Sequence, residues 1–150
     1  MITIGRADKA DFPEINLQNI KVKLDTGAYT SSIHCHDVKE VELNGEKYIE
    51  FELLDPSHPE YENKIYTVKN YFEKLIKSSN GTAEQRFVIE TVISIFDEVY
   101  PIELSLSERG DMKYPILLGR KFINKRFLVN TALKNVSYKL KSKANKKKLD

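Results

Sequence analysis

A short apolar strand runs directly into an acidic corner, and this junction constrains the fold more than any other stretch of the chain. Apolar residues alternate with lysines over Ile20–Leu24, and the next residues are Asp25, Thr26, Gly27 and Ala28. Alternation with a period of two is the pattern of a half-buried β-strand. Glycine permits the tight corner, and a threonine side chain can hydrogen-bond to the nearby backbone. The sequence therefore predicts a strand that ends in a loop holding one carboxyl group.

Most of the remaining chain also has the pattern of β-strands. Apolar and polar residues alternate over Ile49–Leu53 and over Ile102–Ser107, as they do in half-buried strands. The run Phe87–Phe96 is apolar and β-branched on both faces, which indicates a central strand. Only Gly119–Lys125 has a helical pattern, and it is brief. We therefore expect one mainly β domain.

Turn signals join these strands into hairpins. Asn44-Gly45 follows the strand pattern of Val38–Leu43, and Asn80-Gly81 follows that of Phe72–Lys77. Asn-Gly is the strongest two-residue hairpin signal, because both residues accept a positive φ. Asp97-Glu98 is expected to turn the chain back after the central strand.

Length, charge and cysteine content narrow the functional class. The 150 residues include 24 basic and 22 acidic ones, and a net charge of +2 predicts no nucleic-acid partner. No apolar run approaches the ~20 residues that span a bilayer, and Met1 does not lead into a signal peptide, so no membrane partner is expected. A single cysteine, Cys35, fits a reducing compartment. We expect a cytoplasmic protein with a folded domain at residues 1–138 and a disordered lysine-rich tail at 139–150.

A second motif, Tyr114–Arg120, suggests a function for the acidic corner. Taken alone, its Leu117-Leu118-Gly119 stretch is equally a buried strand ended by glycine. Together, "KLDTGAYTSSIH" and "YPILLGRKFI" resemble the retropepsin-like aspartic peptidases. The longer run from "SSNGTAEQRFVIETVIS" to "YPILLGRKFINKRFLVN" is similar to the bacterial family labelled ATP-dependent zinc proteases. The resemblance, over roughly residues 2–135, implies the acid protease fold: a closed or partly open β-barrel, one lobe per chain, with a short helix after Leu-Leu-Gly-Arg.

A peptidase of this kind needs two carboxyl groups. Without a metal or a covalent nucleophile, one group must deprotonate water while another protonates the carbonyl oxygen, and two carboxyls that share a proton provide both. The chain contains a single Asp-Thr-Gly, so the second carboxyl must come from a twofold-related partner. The predicted enzyme is a homodimeric aspartic endopeptidase with Asp25, Thr26 and Gly27 as its catalytic residues and no cofactor.

The resemblance also implies roles for neighbouring segments and for the substrate. Thr26 would bond across the twofold axis, and Leu117–Gly119 would pass beneath the Asp25 loop and brace it. A flap would close over the substrate, and Leu54–Tyr66 is the first candidate for it, followed by the Asn80-Gly81 hairpin. The family is linked to ATP-grasp glutamate ligases, which makes a glutamate-rich peptide or protein a candidate substrate.

Two positions depart from the pattern of the relatives. Viral retropepsins usually carry an acid directly after Asp-Thr-Gly-Ala, where this chain has Tyr29. Arg120 must therefore find another partner, and a phenol can accept a hydrogen bond from a guanidinium group. Asn130 stands where relatives often have Asp, and no role is assigned to it.

The residues give little support for the zinc and ATP binding that the family label suggests. The chain has no glycine-rich phosphate loop and no His-Glu-x-x-His. On a half-exposed strand His34 and His36 would share a face while Cys35 pointed away, and catalytic zinc usually takes three protein ligands. We therefore assign no metal site. A zinc-dependent hydrolase that uses the two histidines, and a non-catalytic peptide-binding module of the same fold, stay open as alternatives.

Overall fold

Strands dominate the structure, a computed structural model that describes residues 1–59, 61–77, 80–108 and 113–149, the last three of them by their backbone alone. The strands are β1 (Ile2–Ile4), β2 (Ala7–Phe12), β3 (Leu17–Leu24), β4 (Ser31–Leu43), β5 (Glu46–Leu53), β6 (Ile65–Val68), β7 (Tyr71–Lys77), β8 (Ala83–Ile95), β9 (Glu98–Ser107), β10 (Ile116–Leu118) and β11 (Phe127–Val129). The α-helices are α1 (Arg120–Ile123) and α2 (Val136–Leu149), and Pro13–Ile15 forms a short 3-10 helix. The predicted mainly β composition and the short helix after Leu-Leu-Gly-Arg are both confirmed.

The main sheet closes on itself. Its strands follow the order β10, β3, β2, β8, β9 and β4, and β10 also pairs with β4, which returns the sheet to its starting strand. Strand β10 is parallel to β3 and antiparallel to β4. Strands β5 and β6 extend from β4, and β7 pairs with β8 outside the ring. The result is the partly closed barrel that the resemblance implies.

The hairpin turns lie close to their predicted positions. Asn44-Gly45 joins β4 to β5 with φ values of 53° and 79°, which Asn-Gly accepts at little cost. Strands β7 and β8, on either side of Asn80-Gly81, are paired. The turn between β8 and β9 is Phe96-Asp97, with φ values of 52° and 58°, and not the predicted Asp97-Glu98. The shift has a tertiary cause, because the Phe96 ring packs against Phe127 with centroids 5.7 Å apart.

The apolar core lies within the ring and anchors the strands that carry the acidic corner. Ile33 of β4, Leu104 of β9 and Ile116 of β10 are fully buried. Each such side chain contributes about 1.5–3 kcal/mol relative to an exposed one. Val88 and Ile89 are consecutive and both fully buried, so β8 is covered on both faces, as predicted for a central strand.

Helix α2 occupies the segment for which the sequence predicts a disordered tail. The buried Asp8 carboxylate accepts hydrogen bonds from the N–H groups of Ser137 (2.9 Å) and Tyr138 (3.0 Å), which satisfies donors that a helix start leaves unpaired. Lys141 forms an ion pair with Asp11 at 2.8 Å. Asp8 is far from α2 in the sequence, so the residues around the helix start do not predict this cap. The division of the chain at residue 138 stays a prediction.

No helix in the described part of the chain has the length and apolar character needed to cross a membrane.

Candidate functional site

Asp25 is the first residue after β3, where the predicted corner begins. Its N–H donates to the Leu118 carbonyl oxygen at 2.8 Å, which continues the parallel pairing that places Leu118 beside Leu24. The Asp25 side chain is partly exposed. Strand β10 therefore holds the backbone that carries the carboxyl group, as expected for the Leu117–Gly119 brace.

The loop after Asp25 folds back onto this carboxyl group. The Gly27 N–H donates to Asp25 Oδ1 at 3.1 Å, and the Ala28 N–H donates to the Asp25 carbonyl oxygen at 3.2 Å. The first of these bonds restricts rotation of the carboxyl group, as in an Asx turn. Thr26 and Gly27 are exposed. The loop thus presents an oriented carboxyl group at the protein surface.

The Arg120 side chain forms a hydrogen bond with a backbone carbonyl group. Its Nη1 donates to the Thr26 carbonyl oxygen at 2.9 Å. Its guanidinium carbon lies 5.9 Å from the centroid of the Tyr29 ring, a distance at which a cation is attracted to an aromatic face. The contact with Tyr29 is therefore made by the ring, whereas the sequence suggested the phenol oxygen. Arg120 therefore holds the loop at two points, Thr26 and Tyr29.

Gly119 packs directly beneath the loop. A Cβ at this position would lie 2.6 Å from the Tyr29 carbonyl oxygen, a distance that real Cβ atoms essentially never show. The Gly119 N–H donates to Ser31 Oγ at 3.0 Å, and the next N–H, that of Arg120, donates to the Ala28 carbonyl oxygen at 2.8 Å. Loop and brace are consequently one hydrogen-bonded unit.

An open cavity of about 720 Å³ begins at the Asp25 loop and extends along the neighbouring strands. Cationic side chains are prominent in its lining, which includes Lys74, Lys77, Arg86 and Arg120. Asp25 is the one acidic residue among the described residues that line it. The charge balance of this cavity favours an anionic ligand.

The wall of the cavity beside the Asp25 loop comes from Lys74–Lys77 of β7. These residues lead towards Asn80-Gly81, the second of the two predicted flaps; residues 78 and 79 lie outside the described chain. None of the described residues in 54–66 lines this cavity, and Leu54 and Tyr66 line a separate one. The segment Leu54–Tyr66 follows β5 on the other side of β4, and its role as the flap stays a prediction.

The histidines predicted to share a strand face have different surroundings. His34 is fully buried, whereas the sequence suggested a half-exposed strand. Its Nε2 lies 3.3 Å from Asp55 Oδ2, and neither ring nitrogen makes a well-directed hydrogen bond within the described chain. His36 Nε2 lies 3.9 Å from Glu52 Oε2. In the part of the chain that the structure describes, no three potential ligands from His, Cys, Asp and Glu stand close enough to hold a metal ion.

Asp55 and Cys35, two residues of this region, have shifted pKa values. A hydrogen bond from the Ser57 hydroxyl lowers the pKa of Asp55, with a further bond from the Ser57 N–H. Burial raises the pKa of the Cys35 thiol well above its usual range. Cys35 is therefore a neutral core side chain and a poor metal ligand or nucleophile.

Several residues of the site carried no sequence signal. Ser31 supplies the acceptor for Gly119, although nothing in the local sequence distinguishes it from Ser32. Ser105 and Ser107 occupy the polar positions of an alternating strand, which predicted exposure, yet both are 2% exposed and line the cavity. The alternation was visible in the sequence, but it did not show that the tertiary structure buries these two serines.

Comparison with known proteins identifies a family model and several relatives that match most of this chain. A family model described as "Retropepsin-like aspartic endopeptidase RimB" matches residues 3–140. A protein of Desulfotalea psychrophila named "Probable alpha-L-glutamate ligase" is 35% identical over 131 residues, which cover 87% of this chain. A protein of Shewanella pealeana with the same name is 35% identical over 136 residues, 85% of this chain. The chain spans 28% of the length of each of these relatives.

A solved structure shows the same arrangement of strands. Protein Lpg0085 of Legionella pneumophila, described as having unknown function and assigned to DUF785, has a TM-score of 0.70 and 28% sequence identity to this chain. The match covers 91% of this chain and 98% of the Legionella chain. These similarities confirm the family resemblance and the partly closed barrel predicted from the two motifs.

Proposed function

Because this chain belongs to the RimB-like family of retropepsin-like aspartic endopeptidases, we propose that it hydrolyses peptide bonds with a water molecule held between two Asp25 carboxyl groups. One carboxyl comes from each subunit of a homodimer. The observation that carries the proposal is the oriented, partly exposed Asp25 carboxyl at the mouth of the cavity, next to the exposed Thr26 and Gly27. A lone carboxyl of this kind can serve as acid or as base, and the reaction needs both at once.

The proposed reaction divides the two proton transfers between the paired carboxyls. Like charges a few ångströms apart cannot both ionise, so the pair shares one proton. The ionised Asp25 takes a proton from the water as its oxygen attacks the scissile carbonyl carbon. The protonated Asp25 donates to the carbonyl oxygen, which gives a tetrahedral intermediate. The Asp25 that took up the water proton then gives it to the leaving nitrogen, and the C–N bond breaks as the other Asp25 takes back a hydroxyl proton. The bond from Gly27 to Asp25 holds the carboxyl in position, and Thr26 lies exposed where a partner loop can reach it.

The charges in the cavity support an acidic peptide as the substrate. Lys74, Lys77, Arg86 and Arg120 line it together with Asp25. An excess of positive charge in a cleft concentrates anionic ligands and accelerates their association, in a manner that salt screens. The matched relatives carry the name alpha-L-glutamate ligase, so we propose a glutamate-rich peptide or protein as the substrate.

The test uses an oligopeptide of glutamate residues and its products measured by mass spectrometry. We expect the native protein to cleave it, and Asp25→Asn to abolish cleavage because the amide can neither take up nor release the proton. Asp37→Asn is the matched control, since Asp37 is exposed and lies outside the cavity. Cleavage by Asp25→Asn at the native rate would refute the proposal.

The dimer is tested by dilution and by mixing. Specific activity should fall as the protein is diluted, because a site built from two chains follows mass action. Native protein mixed with an excess of Asp25→Asn should lose activity through mixed dimers that hold a single acid. Constant specific activity at all concentrations, with no inhibition by the variant, would exclude a shared site.

Two other outcomes distinguish the alternatives. Cleavage that survives Asp25→Asn and stops on addition of a chelator would indicate a metal-dependent hydrolase that uses His34 and His36. Binding of the peptide without cleavage by the native dimer would indicate a non-catalytic peptide-binding module.

A further inference from the structure

One face of the sheet carries polar side chains from three strands into the cavity beside Asp25. Ser32 of β4 lies opposite Ser105 of β9 in the parallel pairing, and Val88 of β8 lies opposite Ser105 in the antiparallel pairing. Side chains two residues apart on a strand share a face. Arg86 and Ser107 therefore lie on the same face as Ser105, one step further along their strands. Ser32, Arg86, Ser105 and Ser107 all line the cavity.

These polar groups are held in a largely buried setting. Ser105 and Ser107 are each 2% exposed, and the Arg86 side chain is 15% exposed. Buried polar groups are usually paired, and both serines line the cavity, where a ligand can reach their hydroxyls. The floor of the cavity thus offers hydroxyl donors next to a guanidinium group.

The guanidinium group has a partner that a ligand can replace. Arg86 Nη2 donates to Glu84 Oε2 at 3.1 Å, and the Glu84 side chain is 66% exposed. Because the Glu84 carboxylate is solvated, this ion pair contributes little to stability. A guanidinium group has five N–H donors arranged for a carboxylate, so donors remain available beyond the one that Glu84 uses.

We infer that Arg86, with Ser105 and Ser107, forms a specificity subsite for a side-chain carboxylate of the substrate, one or two residues from the bond that Asp25 cleaves. The inference rests on the proposed function. The inference adds to that function the groups that recognise the acidic residue of the substrate. Arg86 binds the carboxylate through its free N–H groups, the serine hydroxyls donate to its second oxygen, and the Glu84 carboxylate is displaced into solvent.

The experiment measures cleavage of two peptides that differ in one residue near the cleavage point, Glu in one and its isostere Gln in the other. The native protein should prefer the Glu peptide through a lower KM. Arg86→Gln should raise the KM of the Glu peptide about 10- to 100-fold, the range expected for a lost hydrogen bond to a charged group. It should leave the Gln peptide nearly unchanged. Lys47→Gln, which removes one positive charge from an exposed position on β5 outside the cavity, is the matched control.

Two further variants separate recognition from folding. Ser107→Ala should weaken the preference for Glu by a smaller factor, because the arginine stays. Arg86→Lys should restore part of the preference, because lysine keeps the positive charge but lacks the paired N–H donors of a guanidinium group. If Arg86→Gln impairs both peptides equally, Arg86 has a structural role and the subsite is refuted. If it impairs neither, the carboxylate binds elsewhere.

A binding measurement keeps this inference distinct from the proposed function. In the Asp25→Asn background, affinity for the uncleaved Glu peptide can be measured by titration. If the native protein cleaves neither peptide, the proposed function fails, and a loss of affinity specific to the Glu peptide on adding Arg86→Gln still supports the subsite. If both peptides bind Asp25→Asn equally, the subsite is refuted even where cleavage occurs.

Discussion

Replacing Gly119 by alanine tests whether the brace beneath the loop positions the Asp25 carboxyl group. The new Cβ would lie 2.6 Å from the Tyr29 carbonyl oxygen and 2.9 Å from the Thr30 carbonyl carbon. Both neighbours are backbone atoms, which cannot rotate away as a side chain can. The Tyr29 carbonyl oxygen must therefore move by about 0.8 Å to reach the 3.4 Å at which ordinary contact begins.

The expected cost follows from this displacement. Overpacking of a rigid site typically destabilises a protein by about 1–3 kcal/mol, and each kcal/mol lowers the melting temperature by about 2–4 °C for a chain of this size. Because the moved backbone belongs to the loop that holds Asp25, catalysis should suffer more than stability. A displacement approaching 1 Å in a reacting group costs on the order of 100-fold in rate.

The assay combines kcat/KM on the glutamate peptide, thermal unfolding, and hydrogen exchange of the Asp25 amide, which is protected by Leu118. Gly119→Ala should show faster exchange there and a loss of activity of about 10- to 100-fold. Ile49→Val, a fully buried change on β5, should cost about 0.5–1.5 kcal/mol without moving the loop. If Gly119→Ala is as active as Ile49→Val, the brace does not position the carboxyl group and the reasoning fails.

Three other changes test separate contacts. Asp8→Ala removes the cap of α2 and should cost about 0.5–2 kcal/mol, with hydrogen exchange increasing across the first turn of the helix. Ser31→Ala leaves the buried Gly119 N–H without its acceptor and should lower the free energy of unfolding by about 1–3 kcal/mol, measured by urea titration. The hydrogen bond to Glu40 raises the pKa of Tyr71 to about 12, so this bond stabilises the fold fully below pH 10 and its contribution disappears as the pH rises through 12. Ultraviolet titration should show a late-ionising tyrosine that Tyr71→Phe removes.

How well the sequence predicted each feature depends on how far apart in the chain the contacting residues lie. Asn44-Gly45 was predicted correctly because a two-residue turn depends on the φ preferences of those residues alone. The turn at Phe96-Asp97 was displaced by one residue because the Phe96 ring packs against a strand far along the chain. The same reason explains α2, whose first turn is capped by Asp8 from β2.

The candidate site shows the same division. The sequence identified Asp25, Thr26 and Gly27 through their motif, and their catalytic roles stay a prediction. It placed the flap at Leu54–Tyr66, which also stays a prediction, and it did not show that β7 borders the cavity beside Asp25. Strand pairing across the barrel decides which loop lies over which strand end, and a periodic pattern fixes the buried face of a strand but not the strand with which it pairs.

By itself, the sequence determined the β-rich class, the hairpins and the acidic corner, because each depends on residues within a few positions of one another. Only the tertiary structure decided that β10 passes between β3 and β4, so that Leu118 and Gly119 hold the Asp25 loop from below. It also decided that Arg86 meets buried serines in a cationic cavity. These contacts join residues far apart in the chain, and their energies arise from burial and charge in a closed sheet that no local stretch of sequence contains.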